Sequence, residues 1–477
     1  MANNTNIVYF VADQLRADSL HHLGNPASLT PNLDRLASEG VSFSNAFCQN
    51  PVCVPSRCSF LTGLYPHTTG HRTMHFLQNE DEPNILKTMK ENGYEVIWCG
   101  RNDVIPADRS KDNYCDEYIG GVDISELRKK VASEHKEVNY SFYFGQDTTG
   151  MASMVDESIV EGAIEYLRTR AKQSSNKPFF MYLTINLPHP PYTIKKPFYG
   201  ATDRSKLPPR RKDLNTTNGK PAMLHGIHDK QKVYQWSEEQ FDELRGTYLD
   251  MVYRFDDLFG KFKEALSESG YEDNTSIFVF SDHGDYTGDY GICEKSQNTF
   301  DDPVCHVPFI VKPAKSIECK PRTTDALVEL VDLTATVADI CDIDLNYTQF
   351  GKSIVEVLAG KDEHRDEVHC EGGRIHGERQ CMELGHDESS PYWPRLSTQA
   401  MEGPEHSKAV MCRTKDYKFV KRLYEDDELY DLNNDPQEMN NLIHEEKYKD
   451  LIIEFDRKVL EHLLSTGDYV PNRRDKR

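Results

Sequence analysis

Four segments of this 477-residue chain each end a short apolar, β-prone run near a side chain able to do chemistry. Asp13 follows residues 6–11, Arg101 follows 95–99, His189 follows 179–186 and Asp282 follows 276–281. Carboxylates hold cations, a guanidinium holds anions, and an imidazole moves protons near neutral pH. In an open α/β sheet, ligands gather beyond the C-terminal strand ends. Four such ends predict one convergent polar site. A fifth segment is Cys53-Val54-Pro55-Ser56-Arg57. If Cys53 opens a helix, Arg57 lies on the same face, four residues on. An always-charged guanidinium there neutralises charge developing beside the cysteine.

Helical patterns lie between these runs, at 85–92, 156–172, 238–269 and 325–341, with a further strand-like run at 307–311. Such alternation predicts an α/β fold built on a large, mostly parallel sheet flanked by helices. Thr30-Pro31 predicts a helix start, with Thr30 as cap, Pro31 at the first position, and Leu33 and Leu36 on one face. Beyond about Leu358 the texture changes. Residues 372–405 are rich in Gly, Pro, His, Ser and charge, and predict a long loop. Short strands within 409–423 and 428–432, then a helix at 445–464, predict a smaller C-terminal α+β subdomain. The expected division is therefore 1–365 and 366–477. The polar, basic tail 472–477 is expected to fray.

The formal net charge is −22, from 56 basic and 78 acidic side chains. That balance disfavours nucleic acid and anionic membranes as partners. A local cluster of cations can still bind an anion, because distant charges are screened over about 10 Å. No segment approaches about 20 apolar residues, so no membrane span is expected. The opening MANNTNIVYFVADQLRAD lacks the basic start and apolar run of a secretory signal. The twelve cysteines are therefore expected as reduced thiols in the cytoplasm, not as a disulfide framework.

Cys53-x-Pro-x-Arg57, with Thr62-Gly63 a few residues on, resembles the signature of the type I sulfatases. These are formylglycine-dependent members of the alkaline-phosphatase-like superfamily, here of the cysteine type found in bacteria. The resemblance continues through Thr30-Pro31-Asn32-Leu33-Asp34-Arg35-Leu36, Asn45-Ala46-Phe47, Ser281-Asp282-His283-Gly284 and Glu428-Leu429-Tyr430-Asp431-Leu432 with Asp435-Pro436, in order along nearly the whole chain. It implies an alkaline-phosphatase-like sheet and hydrolysis of a sulfate ester of a small organic molecule, a sugar or an aryl alcohol.

The same resemblance implies that a maturase oxidises Cys53 to formylglycine (3-oxoalanine), whose hydrated aldehyde is the nucleophile beside one divalent metal. The metal is expected to be calcium, with magnesium as the alternative. By resemblance, Asp13, Gln14, Cys53, Asp282 and His283 hold it, and Arg57 supports the diol. His189, within Leu187-Pro188-His189-Pro190-Pro191, would protonate the leaving oxygen. His189, Arg101 and Lys295 would bind the sulfate. Cys58 is expected to be structural.

Some positions depart from the family pattern. Gln14 stands where many members have a second Asp, which lowers the ligand charge by one unit. Asp103, in Gly100-Arg101-Asn102-Asp103, takes the place of a usual histidine, and serves either as the base for sulfate release or as a partner of Arg101. Arg101 itself keeps the cation and can grip sulfate bidentately. Tyr290 also stands where histidine is frequent. The leaving-group pocket is expected from 102–147, 190–228 and 374–393, with Arg374, His376, Tyr392 and Trp393 suited to a sugar or aryl ring. The alternative activity is phosphonate monoester or phosphodiester hydrolysis on the same scaffold. A second alternative is a binder with an unmodified Cys53.

Overall fold

β1 (Asn6–Asp13) is apolar almost throughout because both its faces are covered, and all of its residues are buried. Ile7, Tyr9 and Val11 point to one layer with Phe60, Phe278 and Phe280. Val8, Phe10 and Ala12 point to the other, with Phe255, Phe259 and Phe262. This is the period-two alternation of a strand between two helical layers. The computed structural model describes residues 5–125, 139–173, 175 and 177–471. Segment 472–477 and part of 102–147 lie outside them.

The remaining strands are β2 (Val41–Phe47), β3 (Glu95–Gly100), β4 (Glu117–Ile119), β5 (Tyr143–Gln146), β6 (Phe179–Pro188), β7 (Tyr192–Ile194), β8 (Thr275–Ser281), β9 (His306–Lys312) and β10 (Arg322–Glu329). β11 (Val368–Gly372), β12 (Ala409–Arg413), β13 (Tyr417–Arg422) and β14 (Glu428–Asp431) follow. The large sheet has the order β10-β2-β9-β8-β1-β6-β3-β4, and β9 is its antiparallel member. β1 pairs in parallel with β6 and β8, for example Val8 with Met181 and Ile277. The expected α/β class and mostly parallel sheet are present.

Helices Met151–Gln173 and Glu238–Glu268 cover one face of this sheet. The longer one begins in a capping box, with Ser237 and Gln240 satisfying each other's backbone N–H groups. Helix Pro31–Glu39 buries Leu33 and Leu36 as expected, but Thr30 makes no side-chain cap. Asp256, from the long helix, accepts from the backbone N–H groups of Asn32 (3.0 Å) and Leu33 (2.8 Å) instead. A carboxylate distant in sequence thus does the capping.

Two expectations are corrected. Residues 325–341 are not one helix. They begin inside β10, and only Asp332–Cys341 is helical. Pairing with β2 decides this, because the edge of the sheet supplies backbone partners that an isolated helix turn would not. The loop 372–405 also contains a short helix, Trp393–Gln399.

β11, β12, β13 and β14 form an antiparallel sheet. Helix Lys449–Thr466 packs Phe455 and Val459 onto its outer face, against Val410, Cys412, Phe419 and Leu429. The inner face contributes Val368, Cys370, Ala409, Met411 and Val420 to the main core. The second sheet starts within three residues of the expected boundary, yet it shares its core with the first. Among the described residues, no helix is long and apolar enough to cross a membrane.

Candidate active site

Helix Cys53–Thr62 begins at Cys53, which sets Cys53 and Arg57 one turn apart on a fully buried helix. The Arg57 guanidinium forks between two strand ends. Its Nη2 lies 3.0 Å from Asp13 Oδ2, and its Nε lies 2.9 Å from Asp282 Oδ2. Ser56 Oγ donates to the Asp282 carbonyl at 2.6 Å, clamping the same helix to β8. Behind Asp282, a Cβ at Gly284 would collide with the Pro303 carbonyl, so the backbone needs glycine there.

Asp13 Oδ1, Asp282 Oδ1, Cys53 Sγ and His283 Nε2 face one another. His283 Nε2 lies 3.7 Å from each carboxylate oxygen and 3.2 Å from the sulfur. Cys53 Sγ is 3.5 Å from Asp13 Oδ1. Ligand atoms of these four residues all lie within 4.8 Å of one another. His283 Nδ1 faces the Gly284 carbonyl at 2.9 Å, which assigns it the proton and leaves Nε2 a lone pair. A lone pair and two carboxylate oxygens turned inward repel unless a cation sits among them. The arrangement therefore fits a divalent ion with oxygen and nitrogen donors.

Three further groups act on Cys53 or Asp13. Lys295 Nζ donates to Cys53 Sγ at 3.4 Å and to Gln14 Oε1 at 2.7 Å. Arg101 Nη1 is 3.3 Å from Asp13 Oδ2, and Arg101 keeps a side chain that is 36% exposed, at the open side of the site. His189 Nδ1 donates to the Pro190 carbonyl at 2.6 Å, leaving Nε2 for other chemistry. Burial opposes charge on Asp13, but His189, Arg57, Lys295 and Arg101 together hold its carboxyl well below the usual range. Burial, then Lys295, pushes the His189 imidazole well below its ordinary value. Burial, then Asp13, pushes the Cys53 thiol well up. An unmodified Cys53 is thus a poor thiolate, unlike a cysteine used directly as nucleophile.

Cys53, Arg57, Asp13, Asp282, His283, Lys295, Arg101 and His189 are brought together. Asp103 pairs with Arg101, Oδ2 to Nε at 2.8 Å, which is the placement of a partner. Gln14, expected as a metal ligand, turns its side-chain amide to other partners. Its Nε2 donates to Asp285 Oδ2 at 2.5 Å, its Oε1 is taken by Lys295, and its backbone N–H reaches Asp282 Oδ1 at 3.1 Å. Its φ of 72° is a left-handed backbone held against its preference. Cys58 is buried in the core, and Tyr290 donates to the Gln437 carbonyl at 2.7 Å.

Arg374 is the clear displacement. The sequence places it in the substrate site, but its buried guanidinium donates to the carbonyls of Gln399 and Met401 and to Glu402. It pins its own loop. Arg395, from the helix within that loop, is the residue the sequence reading missed. Its Nε is 3.1 Å from Glu294, the neighbour of Lys295, and its Nη1 has no hydrogen-bond partner among the described residues. The signal was its position beside Tyr392 and Trp393. Asp285 and Tyr192, joined at 2.7 Å, were also missed; they orient Gln14 and the backbone N–H of Glu294.

The sulfatase family model matches residues 5–343 of this chain. The chain belongs to the sulfatase family. A second model, of the C-terminal region of N-sulphoglucosamine sulphohydrolase, matches residues 401–464. This sulfatase is 25% identical to the ulvan-active sulfatase of Formosa agariphila, over 98% of this chain and 83% of that protein. It is 26% identical to an arylsulfatase of Clostridium perfringens, over 95% and 93% of the two chains. Its fold is similar to that of the phosphonate monoester hydrolase of Agrobacterium radiobacter, with a TM-score of 0.77 and 20% identity over 98% and 100% of the two chains.

Proposed function

We propose that this sulfatase hydrolyses the sulfate ester of a sugar or aryl alcohol, with Cys53 matured to formylglycine beside one divalent ion. The observation that carries this reading is the inward-facing set of Asp13 Oδ1, Asp282 Oδ1 and the His283 Nε2 lone pair around Cys53. Asp13, Asp282, His283 and position 53 would hold the ion. When bound, it lowers the pKa of oxygens at position 53 and offsets the sulfate charge. Calcium is the ion expected, since it accepts irregular donor sets more readily than magnesium.

The chain's own groups divide the remaining work. Arg57 holds both carboxylates in place. Lys295 and Arg101 offer cations to the sulfate oxygens, and Asp103 fixes the Arg101 fork. His189 carries a proton on Nε2 to the leaving oxygen while Nδ1 stays on the Pro190 carbonyl. A bound sulfate anion offsets the field of Lys295, so it raises the basicity that the free site depresses.

The reading requires a formylglycine-generating maturase as partner and places the enzyme in a reducing, cytoplasmic setting. In support, no disulfide joins any of the twelve cysteines. The test is co-expression with a maturase, intact-mass analysis of the Cys53 peptide, and turnover of aryl and sugar sulfates against phosphate mono- and diesters and phosphonate monoesters. The expected result is an aldehyde at position 53 and preference for sulfate esters. A retained thiol in a maturase-competent host, or preference for a phosphonate or phosphodiester, overturns it.

A further inference from the structure

A second set of metal-type donors lies away from the carboxylates, where the two sheets meet. Cys48 follows β2, Cys305 precedes β9, and Cys370 is the central residue of β11. All three are fully buried, in the cluster that holds Phe47, Val304, Val307, Val368 and Met411. Their Sγ atoms all lie within 4.8 Å of one another, and Cys305 Sγ is 3.6 Å from Cys370 Sγ. Among the described residues, the oxygen acceptor these thiols meet is the Val304 carbonyl, 3.8 Å from Cys48 Sγ. The sulfurs thus face chiefly each other.

Sulfurs each about 2.3 Å from one ion stand about 4 Å apart; Cys305 and Cys370, at 3.6 Å, are near that spacing, and Cys48 lies within 4.8 Å of both. We propose that Cys48, Cys305 and Cys370 hold one thiophilic d10 ion, Zn2+, that staples the C-terminal sheet to the main domain. Thiolates select soft or borderline ions and leave calcium and magnesium to oxygen donors. The two centres of the chain would therefore not compete for the same metal. Binding converts three thiols to thiolates and releases three protons to solvent, leaving a complex of charge −1 with a divalent ion. Lys418, whose ammonium acts on Cys305, is the cation near that charge, and it also donates to Asp302 and Glu438. A monovalent ion would leave −2 in a buried site, at greater desolvation cost.

The placement gives the staple a purpose. Cys48 begins the segment that leads to the nucleophile, and the next residues are tied to β11: Glu371 N–H donates to the Gln49 carbonyl at 2.9 Å, and Asn50 Nδ2 to the Glu371 carbonyl at 2.7 Å. Cys305 ends the segment that receives Gly284 and Asp285, through the Val304 and Pro303 carbonyls. One ion would join the carriers of Cys53 and Asp282 to the second sheet.

The test uses the full chain, expressed with added zinc, purified under reducing conditions and passed through gel filtration. Elemental analysis is expected to find one zinc per chain, lost in both Cys48→Ser and Cys370→Ser. X-ray absorption at the zinc edge should show sulfur neighbours at about 2.3 Å. That measurement on the unaltered chain decides the matter by itself if either variant fails to fold. A chelator of thiophilic ions should lower the melting midpoint. A zinc-free chain, a zinc shell of oxygen and nitrogen alone, retention of zinc by the serine variants, or a chain lighter by two hydrogens from a Cys305–Cys370 disulfide would each overturn the proposal.

Discussion

At the scale of the residue, Arg57 and His189 make separable demands. Arg57 serves Asp13 and Asp282 with two different nitrogens, a fork that lysine's single ammonium does not reproduce. Arg57→Ala leaves two buried carboxylates short of a counter-charge. In metal-stripped protein it is expected to cost roughly 3–5 kcal/mol, read from the denaturant midpoint. Arg57→Lys is expected to recover only part of that loss. His189→Ala has little structural cost to bear, since its ring bonds only to the adjacent Pro190 carbonyl among the described contacts. It should lower kcat about 10²- to 10⁴-fold on alkyl sulfates. The loss should shrink for aryl sulfates that leave without a proton. A rate that falls equally across leaving groups would remove His189 from the proton-transfer role.

At the scale of the element, Asp256 is the group with a pH signature. It caps helix Pro31–Glu39 from the long helix, and burial pushes its carboxyl up to about 6. The unfolded chain releases this proton near its ordinary value of 3.8. Between about pH 4 and 6 the native state therefore binds more protons, and this group's contribution to stability falls as pH rises through that window. An amide in its place has no such proton to lose. Stability of Asp256→Asn relative to the parent should thus rise by up to roughly 3 kcal/mol from pH 4 to 7, whatever its starting offset. Urea titrations of both proteins at several pH values give the difference directly. A flat difference would mean that the carboxylate is ionised throughout.

At the scale of the whole molecule, the second sheet is part of the main core. Ending the chain at residue 365 strips Val368, Cys370, Ala409, Met411 and Val420 from the large apolar cluster. It also removes Glu371, which accepts from His67 at 2.6 Å, and Thr466, whose carbonyl accepts from Thr68 Oγ1 at 2.7 Å. Each large buried side chain lost costs about 1.5–3 kcal/mol, against total stabilities of about 5–15 kcal/mol. The truncated chain is expected to lack a cooperative melting transition, while the full chain melts in one. Calorimetry on both decides this. Two well-separated transitions in the full chain would mean that the sheets fold apart.

The strands that carry Asp13, Arg101, His189 and Asp282 were readable because apolar runs and their polar ends are local in sequence, and the Cys53–Arg57 spacing is set by helix geometry alone. Strands β12, β13 and β14 of the C-terminal sheet were readable from the same kind of pattern, but β11 was not. What escaped depends on partners distant along the chain. β10 is a strand because β2 lies beside it, and Asp256 caps a helix more than two hundred residues away. Arg374 and Arg395 have the same charge and lie in the same loop, yet one is spent on that loop's carbonyls and the other reaches Glu294 beside Lys295. Side-chain type is written residue by residue, but which group ends up facing which is settled only when distant segments close around a common core.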